Sequence, residues 1–283
     1  PDLAARVRAF RAEHHLEDLA AMLDVGVPTL IDIWGLDDVS RNLLTRAAGA
    51  IVAMVEGKSK GISERPLIGI NTMGTAACKY PLWAKPLLEE RGYSIALFTG
   101  FGTAFEELIE QGTIQGTLDF MAFEVLLNEI CDGVMKPGAI RFRAGREKGI
   151  PQVFAPAIAD FFGWSGPLLP EHESRLYHHH NIFATIIKSS AEEMAMAGER
   201  MARELNQMTG PTAVLLPTQG FSEFDRPGAI FYDPEGRRAL NEALKSNVAP
   251  TVKVVELDLH INDPEFAQEA VAILDSMMKG NRE

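Results

Sequence analysis

Cysteine is scarce in this 283-residue chain, with only Cys78 and Cys131. Two thiols at this length exclude a disulfide-stapled scaffold and point to a reducing compartment, the cytoplasm. Long apolar runs are missing too. None approaches the roughly 20 residues that span a bilayer, so no membrane partnership is expected. Positive charge is in deficit, with 27 Lys and Arg against 39 Asp and Glu and a net charge of −12. That balance disfavours adhesion to nucleic acid or anionic lipid, although a basic pocket inside a cleft is compatible with it. Fixed-period repeats and low-complexity tracts are absent. The opening stretch PDLAARVRAFRAEHHLEDL reads as a charged amphipathic helix, not a signal peptide.

What is present is a rhythm. Apolar runs read as strands at 66–71, 93–99, 116–120, 150–157, 211–218 and 251–258. Between them lie amphipathic helical stretches, several closing on glycine (Gly92, Gly112, Gly210, Gly280). Two helices start on Asp-Pro, at Asp233 and Asp263. The stretch 160–181, with Gly163, Gly166, Pro167 and Pro170, reads as irregular. Strands alternating with helices predict an α/β fold, a doubly wound (Rossmann-like) parallel sheet. The polar run 57–66 reads as a linker, which divides the chain into a helical segment, 1–60, and an α/β lobe, 61–283.

In open parallel sheets, ligands bind beyond the carboxyl ends of the strands, so the loops that follow them are the places to look. Thr99-Gly100-Phe101-Gly102-Thr103 feeds a helix start. It is either a tight turn or an anion cradle of backbone N–H groups. It lacks the third glycine of G-x-G-x-x-G and the lysine of a Walker A loop. Thr72, Gly74 and Thr75 form a second such loop, with Lys79 as the nearby cation. Cys78, near a helix start, is either a nucleophile or an inert buried thiol. The long loop 217–234 brings Gln219, Gly220, Ser222, Asp225 and Arg226. His260, Asn262 and Asp263 follow the final strand. The run YHHHN (177–181) ends in His180 and Asn181. Its successive side chains diverge in an extended segment, and no zinc-ligand spacing accompanies it, so no metal is assigned. His180 or His260 could serve as acid or base.

RPLIGINTMGTAACKY, YHHHN, GPTAVLLPTQGFSEFDRPGAIFYDP and DLHINDPEFA together resemble the C-terminal lobe of the Tm-one-like ATP-binding family. IDIWGLDDVSRNLLTRAAGAIVAMV (31–55) resembles the segment joining that family's two lobes. The family is related to the N-terminal domain of a plant tobamovirus resistance protein. The resemblance implies two Rossmann-like lobes, ATP as the bound cofactor, and self-association into a homo-oligomer. It also implies that the N-terminal lobe is incomplete. His180, Asn181, Gly220, Asp225, His260, Asn262 and Asp263 carry over as pocket residues. The TGFGTA loop is less glycine-rich than the family's, and DFMAFE (119–124) replaces a threonine-richer segment. The expectation is a cytoplasmic protein that binds an anionic or phosphorylated small molecule in a cleft at the strand ends. Two alternatives stand beside it: a non-catalytic oligomeric interaction protein assembling through helix 38–55, and a metal-dependent hydrolase using the histidines.

Overall fold

The computed structural model describes residues 48, 49, 52, 64–73, 78–99, 102–120, 130, 141–181 and 184–280. Contacts divide the chain into two units, Pro1–Ile62 and Ser63–Glu283. The second unit carries everything that follows. Apart from residues 48, 49, 52 and 130, the expected N-terminal helices and the helix around 122–131 lie outside the described residues, as does most of the linker.

Six strands make one parallel sheet: β1 Leu67–Thr72, β2 Ser94–Thr99, β3 Gly116–Asp119, β4 Gln152–Phe154, β8 Thr212–Pro217 and β9 Lys253–Leu257, in the order β2-β1-β3-β4-β8-β9. Helices α1 (Tyr80–Glu90), α2 (Thr103–Glu110), α3 (Arg143–Lys148), α5 (Ala191–Leu205), α6 (Pro234–Asn247) and α7 (Pro264–Gly280) cover it. The α/β expectation holds for a reason visible along single strands. Val153 and Leu215 pack with α1 and α7, whereas their neighbours Phe154, Val214 and Leu216 pack with α5 and α6. Both faces are apolar, so the strands read as continuous hydrophobic runs, as sheets covered on both sides do. Phe105, Ile109, Ile114 and Ala144 form a smaller core that joins α2 and α3 to the sheet.

Local chemistry sets the helix ends. Ser190 and Glu193 form a reciprocal capping box at the start of α5, which satisfies two otherwise orphaned N–H groups. Asp233 accepts the Gly236 N–H ahead of Pro234 at α6. Gly198 lets α5 and α6 touch, since a Cβ there would lie 2.5 Å from the Leu240 carbonyl oxygen. No described helix is long and apolar enough to cross a membrane.

Three readings of the sequence are corrected. The strand expected over 150–157 spans only Gln152–Phe154, because Pro156 follows and Ile158 adopts a left-handed φ of 58°. The stretch 160–181 is not irregular. It holds β5 (Phe161–Trp164), the short helix α4 (Pro170–Glu173) and β6 (Tyr177–His179). With β7 (Thr185–Lys188) these strands form an antiparallel sheet ordered β5-β7-β6. Strands of three or four residues split by Gly and Pro show no period to read. The third correction is α5, which ends at Leu205 and not at Gly210.

Candidate functional site

The strand order turns back at β1, with β2 on one side and β3 on the other. Such switch points open a crevice at the carboxyl ends of the strands. Thr72 lies directly beside Thr99 in register, and Asn71 beside Asp119. The two loops read as cradles therefore leave the sheet side by side. Helix α2 starts on Gly102, which has φ 71° and gives no side-chain cap to the first N–H groups of the helix.

Beneath the switch point sits a buried ionic group. The Asn71 amide donates to Asp119 Oδ1 at 3.1 Å, Arg141 Nη2 donates to Asp119 Oδ2 at 2.6 Å, and Arg141 Nη1 donates to Glu106 Oε1 at 2.9 Å. The Phe142 and Ala144 N–H groups also donate to Glu106, at 2.7 and 2.9 Å. Phe142 turns the chain with a left-handed φ of 67°. Burial pushes the Glu106 carboxyl up, against the pull of Arg141 and the two N–H groups. Asn71 Oδ1 is buried without a partner. Burial also raises the Cys78 thiol, which disfavours the thiolate needed of a nucleophile. Beside it, the Tyr80 hydroxyl donates to the Asn71 carbonyl.

A second gathering joins the ends of β8 and β9. Gln219 N–H donates to the Leu259 carbonyl and Ile261 N–H to that of Gly220, both at 3.1 Å. His260 is 2% exposed. Its Nε2 lies 3.0 Å from the Ser222 carbonyl, and its Nδ1 accepts from Asn262 N–H at 3.0 Å. These partners fix the tautomer with the proton on Nε2. Burial, helped by the charge of Arg226, lowers its pKa to about 4. His260 is thus a neutral staple between two loops, with both ring nitrogens engaged. Gly220 has φ 145°, and a Cβ there would strike the His260 ring. Asp225 is fully buried. It accepts from Phe221 N–H at 3.1 Å, from Asp233 N–H at 3.0 Å and from the Arg237 guanidinium.

Asp160 lies close by, after the strained Ile158. It takes the Ser222 hydroxyl at 2.6 Å on Oδ2, and its Oδ1 has no partner. Burial, then the charge of Asp225, raises its pKa to about 7.

The solvent-facing rim ties these parts together. Lys79, which follows the β1 loop, donates its backbone N–H to Asn262 Oδ1 at 2.7 Å and its ammonium to Glu223 at 3.1 Å. Asn262 Nδ2 donates to Glu223 at 2.9 Å, and Arg226 Nε donates to it at 3.1 Å. Trp83 Nε1 donates to the Asn262 carbonyl at 3.3 Å. Loops after β1, β8 and β9 thus converge on one carboxylate.

Residues 65–278 match the C-terminal domain of an uncharacterised protein family, UPF0261. The chain belongs to that family. A UPF0261 protein of Brucella suis is 32% identical over 93% of this chain and 72% of its own length. One from Clostridium tetani is 36% identical, covering 89% of the chain and 63% of its own length. The ToMV resistance protein Tm-1(GCR237) of Solanum lycopersicum is 34% identical over 89% of this chain, but the chain spans only 34% of that protein. The expected kinship with the resistance protein is found, and none of these names states a ligand. A solved thioesterase domain from the curacin biosynthetic pathway overlaps 78% of this chain and 93% of its own, at a TM-score of 0.35 and 11% identity. A likeness that slight supports neither fold nor function.

The UPF0261 domain gathers Gln219, Gly220, Ser222, Asp225, His260, Asn262 and Asp263 at one place, and Thr72, Thr99, Gly102 and Thr103 at another on the same end of the sheet. Four strand spacings separate β2 from β8, roughly 19 Å. Gly74, Thr75 and Gly100 lie outside the described residues. His180 and Asn181 form the exposed turn between β6 and β7, where Asn181 Oδ1 accepts from Ala184 N–H at 2.9 Å. Among the described residues no three His, Cys, Asp or Glu side chains converge as a metal set. A hollow of about 250 Å³, lined by Thr218, Arg237, Arg238, Asn241 and Glu256, opens beside α6. A larger one, about 700 Å³, touches Pro66, Gln115 and Pro151 at the opposite end of the sheet, away from the converging loops.

Sequence reasoning passed over Asp119, Asp160, Glu106, Arg141 and Glu223. The strand-end rule reaches Asp119, the last residue of β3, whereas Asp160 lies in the connection from β4 to β5, directly before Phe161. Nothing in the sequence ties Arg141 to Glu106, 35 positions away.

Proposed function

We propose that this UPF0261 domain is a cytoplasmic binding protein for an anionic, phosphorylated small molecule, with ATP as the leading nucleotide, held at the carboxyl ends of its strands. The observation that carries this reading is the reversal of strand order at β1, which sets the Thr72 and Thr99 loops side by side. The start of α2 on Gly102, which has no side chain to cap it, supports it, because a helix start favours negative charge. The cations Lys79 and Arg226 support it further, standing where the loops converge. No reaction is assigned. His260, the acid–base candidate within the gathering, is locked neutral between two backbone groups. Self-association stays part of the proposal on the family resemblance alone.

The test is a thermal-shift titration with ATP on the wild type and on Gly102→Val. A ligand-dependent rise in the wild type, lost in the variant while its unliganded melt stays cooperative, is the expected result. No rise with ATP or inorganic tripolyphosphate would sink the reading.

A further inference from the structure

One carboxylate at the rim is unusually well supplied. Glu223 receives the Lys79 ammonium on Oε2, and on Oε1 it receives Arg226 and the Asn262 amide. The donors come from loops that follow three different strands. Their arrangement is held from behind. Lys79 N–H fixes Asn262 Oδ1, His260 Nδ1 fixes the Asn262 N–H, and Trp83 fixes its carbonyl. The amide NH2 is thereby held towards the position of the Glu223 carboxylate, on a residue that is only 4% exposed.

The charged members of the group are open to solvent, above the buried Asn262. The side chains of Lys79 and Arg226 are 48% and 38% exposed, and that of Glu223 22%. Exposed ion pairs of this kind contribute little to stability, so they exchange partners easily. Two cations and one amide face Glu223. The other acid beside them is Asp263, 3.8 Å from Arg226. With Glu223 turned away, the patch is left with an excess of one positive charge and at least three aimed donors. A phosphoryl group, with three acceptor oxygens and up to two charges, fits that set better than a carboxylate does. The arginine fork suits it geometrically.

We propose that Lys79, Arg226 and Asn262 form a receptor for a phosphoryl group, and that the Glu223 carboxylate competes for it as a built-in substitute the ligand must displace. The inference rests on the phosphorylated-ligand reading above and adds where one phosphoryl group sits and what regulates its entry.

The experiment is isothermal titration of the 283-residue chain with inorganic tripolyphosphate and with ATP. It compares the wild type, Glu223→Gln, Lys79→Ala and the double variant Glu223→Gln/Arg226→Ala, each checked for a cooperative melt. Glu223→Gln should bind tripolyphosphate about 3- to 10-fold more tightly. Lys79→Ala and the double variant should bind it more weakly than the wild type. Should the double variant fail to fold, Lys79→Ala carries that arm alone. A Glu223→Gln chain that binds no tighter than the wild type overturns the proposal. If ATP binds all four chains equally, the receptor is wrong while the nucleotide reading stands and moves to the Gly102 loop. If no chain binds either polyanion, both fail.

Discussion

The domain contains the same ionic chemistry in two settings, and the contrast separates scaffold from site. Arg237 with Asp225, and Arg141 with Glu106 and Asp119, are buried to 6% exposure or less at every side chain. Lys79 and Arg226 with Glu223 stand in solvent. A buried pair is expensive to break, because the group left behind is an unpaired charge in a dry interior. An exposed pair is cheap. The buried groups therefore hold the loops in place, and the exposed group is the one a ligand can rearrange.

The sharpest way to break the comparison is Arg237→Ala, which strands Asp225. It should destabilise the domain by about 3–5 kcal/mol, read from urea unfolding, and a loss under about 1 kcal/mol would place this pair with the rim. Gly220→Ala comes next. Its φ of 145° and the His260 ring behind it predict a cost of about 1–3 kcal/mol in the same assay.

Asp160 sharpens the contrast through pH. In the folded chain it keeps its proton up to about pH 7, against an ordinary value of 3.8. Between those values the folded state binds more protons than the unfolded one, so this group's contribution to stability falls as the pH rises. His260 works in the opposite direction. With a pKa near 4 against 6.5, its contribution is lost as the pH falls from 6.5 towards 4. Subtracting one unfolding curve from another isolates the aspartate. The stability of the wild type relative to Asp160→Asn should decline between pH 4 and 7, by at most about 1.4 kcal/mol per unit, and a flat difference would refute the assignment. The smallest effect belongs to Glu223→Gln, under about 1 kcal/mol. Burial works to raise the Glu223 carboxyl, but Asn262, Lys79 and Arg226 hold it below its ordinary value.

How much of this was legible follows the same division. The inner strands of the parallel sheet could be read because burial on both faces leaves an unbroken apolar signature, and the partly exposed edge strands β2 and β9 because they still carry the apolar runs Ile95–Phe98 and Val254–Val255. Gly220, His260 and Asn262 could be picked out by their place after strands β8 and β9. The small antiparallel sheet could not, since Tyr177–His179 is wholly exposed and Phe161–Trp164 is interrupted by Gly163. The ionic groups were opaque for another reason. A carboxylate such as Glu106 looks like any helix-surface residue until Arg141 arrives from a distant loop. Equally, the sequence alone offered His260 as a proton carrier, and only its two backbone partners make it a fastener.

Helix α7 packs against α1, β3, β4 and β8, and its Asp275 accepts the Tyr93 hydroxyl at 2.7 Å. On a ribosome, those earlier segments emerge long before the helix that seals them. Their apolar face waits, uncovered, until residues 264–280 are made, so this lobe cannot close its core before that helix has emerged.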